Sequence, residues 1–196
     1  MQWHDRTLII DNFDSFTWNL VQLLEGLGDK PIVVRSTDPI LNSLTDMAPR
    51  RLIVSPGPGS PATTPESVQA IHRILGRAPI LGVCLGHQCI ATAHGAELRK
   101  LAHPIHGQIS EVTHNSTGLF EGLPNPFVAM RYHSLVLADD TTRIPLRETA
   151  WCPDAKSAIV MGIQHETLPV AGVQFHPESF LTANGQRIME NFLSWT

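Results

Sequence analysis

The chain has 196 residues, 42% of them hydrophobic and 16% charged, with a formal net charge of −4. That length and balance predict one folded domain with a sizeable core and exclude a disordered tail, a fibre or a second independent domain. The basic residues are scattered, which excludes a nucleic-acid groove or a membrane-binding face and leaves a small molecule as the expected substrate.

The first residues, "MQWHDRTLIIDNFD", lack a basic segment followed by a long apolar stretch, so no secretion signal is expected. No apolar run approaches the ~20 residues needed to span a bilayer. Cys84, Cys89 and Cys152 make an odd count without paired spacing. This argues against a disulfide framework or zinc knot and points to a reducing cytoplasm.

In chain order, "RTLIIDNFD" reads as a buried strand running into polar turn residues. The segment from Phe16 to Leu27 has Phe16, Leu20, Leu23, Leu24 and Leu27 at helical spacing, and Gly28 closes it. "PIVVRS" is a second strand, and "RRLIVSPGPGSP" a third that enters a glycine and proline loop. Thr64 stands at a helix N-cap with Pro65 at the first helical position, and Val68, Ile71, Ile74 and Leu75 form one apolar face. "APILGV" is a fourth strand, followed by a helix from about Leu85 to His94. From "GQISEVTH" onward strands dominate: "FVAMRYHSLVL", "ETAWC", "AIVMGIQH" and "VAGVQFH". A last amphipathic helix runs from about Asn184 to Trp195. The expected fold is a single α/β domain spanning 1–196. It has an open, mostly parallel twisted sheet with helices on both faces, plus additional C-terminal strands.

In "APILGVCLGHQ", residues 78–88, Cys84 lies between Gly82 and Gly86 at a strand-to-helix junction. The spacing is that of the G-x-S-x-G elbow with sulfur in place of the hydroxyl, which holds a nucleophile exposed at a sharp turn. A helix N-terminus behind it favours thiolate over thiol. The alternative is a cysteine that simply packs well, the reading given to Cys89 and Cys152. A nucleophilic thiol needs a base, and "VAGVQFHPES" supplies His176 and Glu178. On an extended chain these point to one side, so Glu178 would fix the imidazole tautomer in a triad with Cys84. By spacing alone a His and a Glu after a strand are more often surface residues. The backbone N–H of Leu85 is one expected oxyanion donor, and the loop "SPGPGSP", residues 55–61, is the expected source of the second, since Gly57 and Gly59 allow backbone to approach a ligand and the prolines keep the loop stiff. That loop taken alone also reads as a stiff turn. It lacks the lysine and spacing of a phosphate-binding P-loop.

"SPGPGSP", "GVCLGHQ" and "GVQFHPES", in this order, resemble the class I, triad-type glutamine amidotransferases across nearly the whole chain. "DNFDSFTWNLVQLL", "HGQIS" and "RYHSLVL" resemble the small glutaminase subunits of anthranilate synthase and aminodeoxychorismate synthase. The resemblance implies a flavodoxin-like class I fold, Cys84, His176 and Glu178 as the triad, and Gly57 and Leu85 as the oxyanion hole. It implies Gly57, Gln88, Ser134 and Leu135 as the residues that hold L-glutamine. It further implies that ammonia released there passes to a larger chorismate-binding synthase subunit that uses magnesium, while the small subunit itself needs no metal and no organic cofactor. His103 and His106 do not complete a coordination sphere, and "HPIHGQ" matches a family loop near the partner. Gln108 stands where the family commonly has lysine, and Phe13 and Trp18 replace tyrosines. The competing readings are a stand-alone hydrolase of γ-glutamyl bonds and a non-catalytic regulatory or scaffold subunit. The sequence does not separate the two chorismate pathways.

Overall fold

In the computed structural model, which describes residues 3–138, 144–153 and 158–195, strand and helix alternate through the first half of the chain. The elements there are β1 (Thr7–Asp11), α1 (Thr17–Gly26), β2 (Ile32–Arg35), α2 (Leu44–Met47), β3 (Arg51–Val54), α3 (Pro65–Ile74), β4 (Ile80–Val83) and α4 (Leu85–Ala93). Then come β5 (Leu98–His114), β6 (Phe127–Leu137), β7 (Leu146–Cys152), β8 (Ile159–His165), β9 (Val170–Val173) and α5 (Gly185–Leu193).

All nine strands join one sheet in the order β2-β1-β3-β4-β9-β8-β7-β5-β6. Pairings from β2 to β9 are parallel, and those from β9 to β6 are antiparallel. Counting β9 as fifth, the parallel half has the doubly wound order 2-1-3-4-5, whose strand ends form a ligand crevice where the order reverses. The expected extra C-terminal strands are the antiparallel extension.

Strand residues alternate between two cores, as the period of two requires. Ile9, Ile53, Leu81 and Val83 pack under α1 and α5, against Leu20, Leu24, Ile188 and Phe192. Leu8, Ile10, Leu52, Val54 and Ile80 face the other way, against Ala70, Ile71 and Ile74 of α3 and Cys89 and Ile90 of α4. Each fully buried Leu, Ile or Phe contributes about 1.5–3 kcal/mol by leaving water.

Four details differ from the sequence reading. Phe16 is the N-cap residue of α1, one position before the helix, and its ring packs on the His176 imidazole. Thr64 stands at the N-cap of α3, but its hydroxyl donates to Ser60 O at 3.0 Å and does not cap the helix. Val68 and Leu75 are only half-buried, and Ser67 and Ala70 complete the inner face of α3. The stretch "HPIHGQ", expected as a loop, lies inside β5, whose pairing with β6 slips between Lys100 and Ile105 and again between His106 and Gln108. Pro104 has no N–H to give a ladder, and Gly107 at φ +64° takes the left-handed turn a bulge needs.

At β4 the backbones pack too closely to admit a side chain. A Cβ on Gly86 would stand 2.1 Å from Val54 O, and one on Gly82 would stand 2.3 Å from Gly86 O. Both obstacles are backbone, which has no rotamer to yield. Gly86→Ala is therefore expected to lower unfolding free energy by more than about 3 kcal/mol in urea denaturation. Gly26→Ala, at the end of α1 with nothing within 4 Å of the new methyl, should instead raise it by about 0.5–1 kcal/mol.

Candidate active site

β4 is buried at every position and delivers Cys84 to its carboxyl end, at φ +52° and ψ −100°. That backbone conformation costs a non-glycine residue on the order of 1–3 kcal/mol. The surroundings enforce it. Cys84 N–H is tied to Val173 O at 2.8 Å, and α4 starts at the next residue and packs onto β3 through Gly86. Cys84 thus sits before the first turn of α4, where the helix dipole favours negative charge. Its Sγ lies 3.7 Å from Tyr132 O and 3.6 Å from Gln174 Nε2.

His176 Nδ1 and Glu178 Oε1 are 2.6 Å apart, and both side chains are almost wholly buried. The route to this contact differs from the extended strand end expected. β9 stops at Val173, and residues 177–178 form a turn. His176 N–H leaves the β9 ladder for Met130 O of β6 at 3.0 Å, while His176 O accepts from Ser179 N–H at 3.3 Å and Thr182 Oγ1 at 2.7 Å. Glu178 therefore returns to the imidazole by a reversal of the chain and not by the alternation of a strand. Phe16 packs on the imidazole with ring centroids 5.3 Å apart.

Burial opposes charge on His176, but hydrogen bonding and charge from Cys84 and then Glu178 outweigh it and raise the pKa to about 10. Nδ1 is the nitrogen taken by Glu178, so Nε2 is the one turned to the sulfur. Nε2 is buried and makes no hydrogen bond of ordinary geometry. The neighbouring histidines go the opposite way. Burial lowers His87 to about 4, and burial together with the Arg131 cation lowers His133 to about 3. Burial also pushes the Cys89 thiol up to about 12, which makes it inert.

Two cavities meet at Cys84. One, of about 210 Å³, is lined by Gly57, Cys84, Leu85, Gln88, Ser134 and Leu135 among others. The other, of about 570 Å³, is lined by Phe13, Phe16, Gly57, Cys84, Tyr132 and His176 among others. Every residue that the sequence assigns to the triad, the oxyanion hole or glutamine binding lines one or both, except Glu178, which sits behind His176. As the first residue of α4, Leu85 has an N–H with no acceptor inside the helix. The Gly57 loop presses against it: a Cβ on Gly57 would stand 2.5 Å from Asn12 Cβ and 2.8 Å from Leu85 Cδ2.

Asn12 and Gln174 carry no role in the motif reading, yet both are buried here. Asn12 Nδ2 donates to Ser55 O at 3.0 Å, its N–H to Ser55 Oγ at 2.9 Å, and its Oδ1 accepts from Ser67 Oγ at 2.6 Å. It braces the loop that carries Gly57. A polar residue right after an apolar strand and facing a second strand end is the only signal for it. His103 and His106 gain no third ligand: among the described residues no group of three or more His, Cys, Asp or Glu is placed to hold a metal. The His106 ring instead packs edge-on to Tyr132, with centroids 4.9 Å apart.

Among the described residues no helix is long and apolar enough to cross a membrane. Residues 8–195 match the glutamine amidotransferase class-I family. The chain is 45% identical over 193 residues to anthranilate synthase component 2 of Thermus thermophilus, covering 97% of this chain and 94% of that one. It is 44% identical over 188 residues to aminodeoxychorismate synthase component 2 of Serratia marcescens, covering 95% and 98%. A solved structure of a GMP synthase protein from Thermoplasma acidophilum superposes with a TM-score of 0.83 at 26% identity, covering 97% of this chain and 92% of that one. With the strained cysteine turn, the paired His176 and Glu178 and the two cavities at one doubly wound crevice, these likenesses establish that the chain belongs to the class I glutamine amidotransferases.

Proposed function

We propose that the chain is the glutaminase subunit of a chorismate-aminating synthase, and that Cys84, His176 and Glu178 hydrolyse L-glutamine there. The observation that carries this reading is the shared placement of Cys84 at a strained turn and His176 at the wall of the same cavity, with Glu178 at 2.6 Å behind the ring. The relatives named as component 2 of anthranilate synthase and of aminodeoxychorismate synthase support the partner class. Identities of 45% and 44% are too close to choose between the two pathways.

In this mechanism the Cys84 thiolate attacks the γ-carboxamide carbon, and the oxyanion takes the N–H groups of Gly57 and Leu85. Gln88, Ser134 and Leu135, on the smaller cavity, hold the rest of the glutamine. The His176 imidazolium gives its proton to the leaving nitrogen, the C–N bond breaks, and ammonia departs. His176 then takes a proton from water, the resulting hydroxide attacks the γ-glutamyl thioester, and glutamate leaves as the thiolate is restored. No step requires a metal or organic cofactor in this chain, and magnesium belongs with the chorismate-binding partner. The three cysteines are free and buried, which supports a reducing, cytoplasmic setting.

Exposed Phe13, Trp18, Ile109, Tyr132 and Phe180 support a protein partner. Phe13 and Tyr132 line the larger cavity, and Phe180 follows the His176 turn in the chain.

Cys84→Ser should abolish glutamine-dependent amination of chorismate and leave ammonia-dependent amination by the same complex intact. Retention of glutamine turnover by that variant would overturn the nucleophile assignment. Assays with each chorismate-aminating large subunit of the source organism name the pathway, since stimulation by one alone assigns it and stimulation by both makes the small chain shared.

Asn12→Ala frees the Gly57 loop from its brace. Its expected effect is a roughly tenfold or greater fall in kcat for glutamine with a smaller change in KM, read in steady-state kinetics.

His176 has a folded pKa of about 10 against the ordinary 6.5. Its stabilisation is therefore full below pH 6.5 and is lost as pH rises toward 10. The urea midpoint of the wild type should exceed that of His176→Asn most at or below pH 6.5, with the gap narrowing toward pH 10.

A further inference from the structure

We propose that Gln174 is a working part of the nucleophile: its side-chain amide donates to Cys84 Sγ and stabilises the thiolate, with its orientation set by Gln88. The inference deepens the glutaminase reading above and rests on it for the role of the sulfur.

Gln174 is wholly buried one residue beyond β9, with its backbone N–H held by Met161 O at 2.9 Å. Nε2 lies 3.6 Å from Cys84 Sγ, and Oε1 lies 3.1 Å from Gln88 Nε2. A side-chain amide presents a donor on one end and an acceptor on the other, so the function of Gln174 turns on which end meets the sulfur. Obligate groups nearby settle that. Leu135 O is a carbonyl and only accepts, so the Gln88 atom 3.2 Å from it must be the NH2 group. The same NH2 group faces Gln174, so the Gln174 atom it meets must be the oxygen. The other end of Gln174, a donor, is left for the sulfur. Reversing Gln174 alone would set two NH2 groups against each other, and reversing Gln88 as well would set its oxygen against the carbonyl of Leu135.

The chain of orientation extends one step further. Arg131 only donates, and its Nε lies 3.1 Å from His133 Nε2, so that nitrogen is the acceptor. His133 Nδ1 then carries the proton and donates to Leu135 O at 3.1 Å. Leu135 O thus receives two donors, His133 and Gln88, and is fixed from both sides.

The sulfur itself sits between opposite influences. Tyr132 O, 3.7 Å away, is an acceptor that suits a protonated thiol and opposes a thiolate. The His176 cation, by its charge, and the Gln174 amide, as a donor, offset it, and Gln174 does so without changing its own charge through the reaction. A donor to an ionised partner contributes more than a neutral hydrogen bond, enough to change the thiolate population about tenfold. Because Gln88 also faces the smaller cavity, a ligand that engages Gln88 acts on the amide that holds the sulfur.

The test is the rate of Cys84 alkylation by iodoacetamide as a function of pH, followed by peptide mass spectrometry to separate it from Cys89 and Cys152. In Gln174→Met, which keeps size and removes the donor, the neutral-pH rate should fall about tenfold and the profile move to higher pH. In Gln174→Glu, which sets a carboxylate against the sulfur, the fall should be larger. Both should lower kcat for glutamine with little change in KM. Superposable alkylation profiles for the wild type and folded Gln174→Met would overturn the proposal, even if turnover fell. Where the variants do not fold, the wild type still decides. The Gln174 side-chain amide resonances should shift as Cys84 ionises and stay still in Cys84→Ala, and a resonance indifferent to pH in both proteins would refute the contact. If alkylation behaves as expected while Cys84→Ser keeps glutamine turnover, the contact stands and the glutaminase reading falls.

Discussion

The constraint on which the site depends is the close approach of three backbones at the end of β4. Gly86 lets the start of α4 touch Val54 of β3, and Gly82 lets β4 pass under that same turn. Neither contact admits a methyl group. With the strand and helix held so closely, the residue between them has no relaxed conformation to adopt, and Cys84 takes φ +52°. The strain is sustained because relieving it would separate β3, β4 and α4 and expose Leu52, Val54, Ile80 and Ile90, all fully buried. Burial of the two cores is what holds the sulfur at the tip of a turn.

The same packing sorts the histidines. His87 lies against Gly172 inside the domain, where burial removes its charge, and His133 is kept neutral by burial and by Arg131. His176 is about as deeply buried, yet it faces Cys84 on one side and Glu178 on the other, and its proton is held to about pH 10. Burial alone would discharge all three. What separates them is the charge each ring meets, so the low-dielectric interior strengthens the one favourable set of partners and silences the other rings. His133 then serves through its tautomer, as a fixed donor to Leu135 O.

Much of this is legible in the sequence where function is written into backbone sterics. Gly82, Cys84 and Gly86 can be read because glycines at those spacings, around a strand-to-helix junction, serve few purposes besides a sharp turn, and the strand and helix alternation follows from the two periodicities. What is not legible is whatever depends on where the chain goes after an element ends. "VAGVQFH" has the pattern of a strand throughout, but β9 ends at Val173, Gln174 N–H makes the last bond to β8, and His176 N–H goes to Met130 O of a different strand. Phe16 has helical spacing, but as the N-cap residue it turns toward His176. Asn12 and Gln174 are polar residues at strand ends, and only the tertiary hydrogen bonds distinguish them from ordinary turn residues. "HPIHGQ" reads as a loop because proline and glycine break ladders, yet β6 runs continuously beside it and absorbs the breaks as bulges.

Two cavities on either side of one sulfur fit a reaction whose two products must part. On the proposed reading glutamine is held in the smaller cavity, where Gln88, Ser134 and Leu135 supply polar contacts. The leaving nitrogen faces His176 across Cys84, in the larger cavity with Phe13, Phe16 and Tyr132 around it. Ammonia that escapes to water at neutral pH is protonated and ceases to be a nucleophile, so the wall of the second cavity matters chemically. Aromatic faces exclude water without binding the ammonia tightly. Phe13 and Tyr132 also stand half-exposed at the rim, an unfavourable arrangement for an isolated chain and a suitable one for a surface covered by the protein that receives the product.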